Sequence, residues 1–243
     1  MRTDFVLFGP AHLLILASIP VAGLLLAVLQ RLNPRWENSL RLGLGTILLV
    51  NELAWYAYRL GWERVPLAAS APLQLCDLAL WLTIVTLFTL KYRIYEVAYF
   101  AALAGSSMAA LTPDLHSPAW SYPTFYFFLA HGGTIAGVLY LTWSKRLWPQ
   151  PGCLWRVLVE VNLFMAFAGA FNAVFGTNYM YLRAKPEGAS LLNYMGPWPV
   201  YIAAGEVVAL AIFTLLWLPF KFSVPRRSRR TPAAPAPTLP SQS

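Results

Sequence analysis

The sequence predicts an all-α membrane protein, a seven-transmembrane helix bundle with its amino terminus outside and its carboxyl terminus cytoplasmic. Three observations predict it. Hydrophobic residues make up 58% of the 243 residues and the mean hydropathy is +0.54, more than a soluble domain needs for its core. Seven segments approach the roughly 20 apolar residues that a spanning helix requires. Lys and Arg crowd the connectors on one side of those segments and thin out on the other.

The first apolar run, residues 11–30, is near full spanning length and no small-residue cleavage pattern follows it, so it reads as an uncleaved helix and not a secretory signal. The other spans fall at about 42–60, 72–90, 94–112, 123–143, 154–175 and 199–220. These runs do not alternate polar and apolar residues, which argues against a membrane β-barrel. Three connectors matter: a turn at Lys91–Arg93, a loop over 113–122 carrying Asp114 and His116, and a long loop over 176–198 with Asn178, Tyr179, Arg183 and Tyr194. The long loop is either a lid over the mouth of the bundle or a solvated connector. Residues 1–222 make the transmembrane domain. Residues 223–243, with Pro225, Pro232, Pro235, Pro237 and Pro240, make a basic, Pro-rich cytoplasmic tail expected to be disordered.

Orientation follows from the charges. Arg2, Arg59, Arg64, Arg183 and Lys185 fall on one side, and the other thirteen of the 18 basic residues fall opposite, which places the carboxyl terminus inside. The net charge of +8 is therefore juxtamembrane, facing anionic headgroups, and does not indicate nucleic-acid binding.

With that topology, the polar residues inside the spans gather in the outer half of the membrane. At about 1.5 Å per residue, Cys76 lies roughly 6 Å below the outer end of its span with Gln74 and Asp77 beside it. His131 and Glu52 lie roughly 12 Å deep, and Glu206 roughly 10 Å. Asn51 adjoins Glu52, while Asn172 and His12 sit nearer the outer ends; Glu96, Glu160 and Asn162 are exceptions toward the cytoplasm. Ionisable groups in a span are costly unless they face a bundle interior, pair, or meet water, so the layer implies a shared polar cavity opening outward. Taken singly, Asn51, Gln74 and Asn172 read equally well as hydrogen-bonding contacts between helices.

Cys76 and Cys153 fall on opposite sides of the membrane and cannot pair within one subunit. A lone membrane cysteine is ordinarily a small apolar filler, but Cys76 has titratable neighbours able to supply a base. His131 is the best placed of the three histidines for that role. Asp77, turned about 100° around the helix from Cys76, is suited to orienting His131 or a substrate. No Cys-x-x-Cys, His-x-x-x-His or phosphate-cradling glycine loop occurs, so no metal and no nucleotide cofactor is expected. A retinal protein would need a lysine within the last span, where only Lys221 stands at the very end.

The stretches Pro72-Leu-Gln-Leu-Cys-Asp77, Tyr95-Glu96, Leu111-Thr-Pro-Asp-Leu115, His131-Gly132, Gly176-Thr-Asn-Tyr179 and Gly196-Pro-Trp-Pro199 resemble the YwaF-type bacterial integral membrane family. That family is similar to the transmembrane protein 164 group, whose animal member is an ether-phospholipid acyltransferase using a membrane cysteine. The resemblance implies Cys76 as nucleophile and His131 as its candidate partner. It also marks a departure, since many relatives carry His where this chain has Gln74.

Two functions stay open at the level of sequence, besides a scaffold with a structural polar core. One is lipid acyl transfer in the cell membrane, with phospholipid and lysophospholipid as partners, Cys76 and His131 as catalytic pair, and Asp77, Gln74, Glu52, Asn51, Asn172, Glu206, His12 and Asn178 around the cavity. The other is a carrier or small-molecule binding protein using Glu52, Asp77 and Glu206.

Overall fold

The computed structural model describes residues 5–113, 115, 118–186 and 191–221, which are helical with irregular connectors and no strand. The tail expected at 223–243, together with Asp114 and His116, lies outside the described residues.

Helix α1 (Pro10–Leu32) starts with a proline, whose missing amide would have no partner there anyway, and ends ahead of Pro34. Helix α2 (Glu37–Tyr56) runs on without a break into a π turn over Ala57–Trp62. Helix α3 (Leu75–Thr89) is shorter than the span read at 72–90, because Gln74 is extended and caps the helix, with the Asp77 carboxylate accepting from the Gln74 amide at 2.9 Å. At its far end Leu90 turns left-handed and Tyr92 begins α4 (Tyr92–Leu111), interrupted by a second π turn at Ala102–Ser106. Helix α5 (Tyr122–Trp143) is capped by the Ser121 hydroxyl. Helix α6 (Cys153–Phe175) is framed by Gly152 and Gly176, both in the left-handed region that favours glycine. Helix α7 (Val200–Phe220) closes the described chain.

Among the described residues five helices, α1, α4, α5, α6 and α7, are long and apolar enough to cross a membrane. The two others read as spans from the sequence fall short for definite reasons. Helix α2 carries Glu37, Arg41 and Glu52, and α3 has 15 residues, about 22 Å of rise.

Successive helices reverse direction. Ile19 of α1 lies on Gly132 of α5 and Gly23 on Ala136, so α1 and α5 run parallel, while Leu48 of the intervening α2 meets Gly133 in the opposite sense. These contacts need glycine: a Cβ on Gly23 would stand 3.0 Å from the Ala136 carbonyl oxygen, and one on Gly133 2.6 Å from Leu48 Cδ2. Small residues let the backbones approach where no hydrophobic force drives helices together. Helices α4 and α5 are central, with Phe100, Val138, Tyr140 and Leu141 fully buried. Helices α6 and α7 are peripheral and show apolar side chains such as Leu163, Phe167, Val207 and Leu215 to the outside.

At the end of the bundle away from Cys76, several basic side chains do more than meet solvent. Arg31 donates to the Trp143 carbonyl at the end of α5, and Arg41 to the Leu87 carbonyl near the end of α3, satisfying acceptors that a helix end leaves open. Arg146 pairs with Glu37 at 2.6 Å. Fully buried Glu96 accepts from Arg156 and, at 2.9 Å, from the Gln150 amide, pinning the α5–α6 connector to α4.

Candidate functional site

Three helices meet around the thiol of Cys76. It occupies the first turn of α3, where the amides of Leu75 and Cys76 are among those that every helix start leaves without an intrahelical acceptor. Cys76, Asp77 and Leu80 from α3, Ser106 from α4, and Tyr126, Ala130 and His131 from α5 line one cavity of about 10 Å³, the size of a single water at most.

The imidazole of His131 is oriented by its own helix. Nδ1 lies 2.8 Å from the Phe127 carbonyl oxygen, so that nitrogen carries the proton and Nε2 keeps its lone pair. Phe127 also stacks near the ring, with centroids 4.1 Å apart. Asp77, which the sequence suggested as an orienting group, shares the cavity while its carboxylate caps α3 through the Gln74 amide.

Behind Tyr126 the site continues into the bundle. Its hydroxyl donates to Glu52 at 2.7 Å, Glu52 is almost wholly buried, and the Tyr126 ring stacks on Trp55 with centroids 4.1 Å apart and planes 8° from parallel. Glu52 is thus joined to the Cys76 cavity through a tyrosine without lining it. Asn51, its neighbour, is buried, and its Nδ2 has no partner among the described residues.

The connector after α6 is strapped across the start of α3. Asn172, fully buried, holds Tyr179 from both sides: Oδ1 accepts from the Tyr179 amide at 2.8 Å and Nδ2 donates to its carbonyl at 2.9 Å. The Met180 amide donates to Gln74 Oε1 at 2.8 Å, the Tyr179 hydroxyl to the Ala68 carbonyl at 2.8 Å, and the Tyr201 hydroxyl to the Tyr181 carbonyl at 2.5 Å. Burial raises the Tyr179 phenol above its ordinary value. Asn178 faces inward on its own loop, accepting from the Arg183 and Ala184 amides. Residues 177–182 pack on the start of α3 with Gln74 and Asn172 as anchors, while Tyr194 and Trp198 of the same loop are exposed.

Two residues grouped with the cavity from the sequence stand elsewhere. His12, fully buried, accepts from the Phe8 amide on Nδ1 and lies 2.9 Å from the Ala110 carbonyl through Nε2, tying the start of α1 to the end of α4 among Phe5, Phe8 and Phe128. Both ring nitrogens are in use. Glu206 accepts from Asn162 at 3.0 Å and joins α7 to α6. Counting residues along a helix gives depth but not the direction a side chain faces, and these two face away.

A family model matches residues 7–217, a stretch that contains all seven helical rods but for the last three residues of α7, and every residue of the cavity and its strap. The chain belongs to the TMEM164 family. No curated protein and no solved structure matches it. In this TMEM164-family chain the sequence reading overlooked Tyr126 and Ser106. Ser106 is 1% exposed and its Oγ has no partner among the described residues, an unsatisfied hydroxyl beside the cavity it lines. The available signal was the Gly105-Ser106-Ser107 interruption in an apolar helix. Among the described residues no group of three or more His, Cys, Asp or Glu is placed to hold a metal ion.

Proposed function

We propose that this chain spans the cell membrane seven times, with its amino terminus outside, and moves an acyl chain between phospholipid and lysophospholipid through Cys76. The observation that carries the reading is the shared cavity of Cys76 and His131, with the imidazole held so that Nε2 is the basic nitrogen. The seven-span topology is supported by the alternating helix directions, by the continuation of α2 to Trp62, and by the basic residues at the end away from Cys76.

In this mechanism His131 Nε2 takes the Cys76 proton and the thiolate attacks the ester carbonyl of a phospholipid. The carbon–oxygen bond breaks, the imidazolium returns the proton to the departing lysolipid, and the acyl group remains as a thioester. A second lysolipid gives its hydroxyl proton to Nε2, attacks the thioester, and releases the thiol. The first-turn amides of α3 and the Ser106 hydroxyl are donors at this cavity for the oxyanion. The cavity admits a water and not an ester, so this is the closed form, and the strap over Gln74 is the element whose movement would open it.

A carrier reading draws on a different observation, the buried Glu52 carboxylate linked through Tyr126 to the same cavity. Purified protein in vesicles containing phosphatidylcholine with a labelled acyl chain separates the two. Hydroxylamine-labile label on Cys76, absent in Cys76→Ser, is expected. Lipid exchange that persists in Cys76→Ser would show that the thiol is packing material.

A further inference from the structure

A second cavity, far larger than the one around Cys76, lies on the other side of α5. It holds about 710 Å³ between α1 and α5, reaches α2 only at Leu44, and is roofed by the Ala119–Tyr122 segment. Helices α1 and α2 are joined by the tight turn at Pro34–Trp36 and diverge from it, which makes the cavity a wedge with its narrow end near Leu26 and Leu44. Ile15 to Leu26 gives it a length of about 16 Å.

From this wedge we infer a binding site for the acyl chains of a single membrane glycerolipid, with the headgroup at the Trp120–Tyr122 end. Three features select that occupant. The floor is apolar and cut deep by Ala22, Gly132, Gly133 and Ala136, and the Ser18 hydroxyl beside it already donates to the Ile15 carbonyl at 2.7 Å. Hydroxyl and amphipathic aromatic side chains gather at one end, where Ser121, Tyr122, Thr124 and the 89% exposed Trp120 form the rim, the pattern of a boundary between hydrocarbon and headgroup. Its length of about 16 Å is the depth of one leaflet of a roughly 30 Å hydrocarbon core, matched to the chains of one lipid and about half of what a spanning helix of a second copy would need. Left empty, the wedge would forfeit dispersion contacts along its whole wall.

The site is separate from the Cys76 cavity, because Phe128, Leu129, Gly132 and Gly133 face the wedge while Tyr126, Ala130 and His131 face the thiol. The inference therefore does not rest on acyl transfer.

The test uses full-length protein in phosphatidylcholine and phosphatidylethanolamine vesicles doped with phosphatidylcholine bearing a mid-chain diazirine. After photolysis, label is expected to concentrate severalfold on α1 and α5 peptides over the lipid-facing surfaces of α6 and α7. Ala22→Phe and, independently, Ser18→Phe fill the wedge from exposed positions and should reduce that label severalfold. Leu24→Phe, on the opposite side of α1, should leave it unchanged, as should Cys76→Ser. Even labelling of α1, α6 and α7, or label unaffected by both filling variants, would mean an ordinary lipid annulus and overturn the proposal. Cross-linking of two Ser18→Cys chains through the wedge would overturn it in favour of a second copy.

Discussion

The Tyr126 hydroxyl donates a 2.7 Å hydrogen bond to the Glu52 carboxylate across the α5–α2 interface. Its ring reaches the Cys76 cavity on one edge and stacks on Trp55 on the other. A single side chain thus ties together a buried acid, an aromatic cluster and the candidate nucleophile.

Tyr126→Phe keeps the stack and removes the donor, leaving a buried acceptor short of a partner. A loss of about 1–3 kcal/mol is expected. Glu52→Leu in the Tyr126→Phe background should recover part of that loss, because the buried acceptor left short of a donor is then gone. Thermal midpoints of the two single variants and the double variant in detergent check this; strict additivity would mean that the bond contributes nothing.

Asn172 serves both backbone groups of Tyr179, so Asn172→Ala should free the strap and speed amide exchange over residues 176–183. Asn172→Asp keeps the acceptor and should retain slower exchange at the Tyr179 amide than the alanine variant. The strap also depends on a neutral Tyr179 phenol, which burial holds above its ordinary 10.0. That contribution is complete below the unfolded value and is lost as pH rises through the higher folded one, so protection of the strap should be flat up to about pH 10. Hydrogen-exchange mass spectrometry reads all three expectations.

Two glutamates paired with arginine should differ sharply in worth. Glu96 is fully buried and holds both Arg156 and the Gln150 amide, so Glu96→Ala should cost roughly 3 kcal/mol or more. The Arg59–Glu63 pair is solvent-facing at 3.3 Å, and Glu63→Ala should cost less than about 1 kcal/mol. Comparable shifts in melting temperature for the two would contradict this ranking.

Activity measurements distinguish the two functional readings. Cys76→Ser and His131→Ala should each abolish acyl exchange while leaving the thermal midpoint close to that of the parent. Glu52→Gln retains an acceptor for Tyr126 and should preserve exchange, whereas a carrier using Glu52 would stop. Glu206→Gln keeps its contact with Asn162 and should affect neither.

Helix order and approximate limits were legible because each apolar run is long and bounded by Pro, Gly or charge, as at Pro10, Pro34, Gly152 and Gly176. The start of α3 was misplaced because Pro72, Leu73 and Gln74 are as apolar or neutral as a helix interior, and only the Asp77 cap reveals the boundary. Cys76 and His131 could be placed in the same half of the bundle from depth, since both helices start at the same end and run parallel. His12 and Glu206 could not be excluded that way, because their partners Ala110 and Asn162 are distant in sequence. Tyr126 passed for one more aromatic in a run of Phe and Tyr.

The π turn at Ala102–Ser106 gives α4 a residue more than a regular helix would fit there. Its wider turn takes up the extra residue, so the stretch after it faces as it would in a regular helix one residue shorter. A descendant chain that lost one residue between Ala101 and Gly105 would close to a regular helix and keep both the Tyr95–Ala101 face on the core and Ser106 beside the Cys76 cavity. Ungapped comparison of such a chain with this one would pair residues turned about 100° from each other from Ser106 to Leu111, and one deletion would be read as a string of unrelated substitutions.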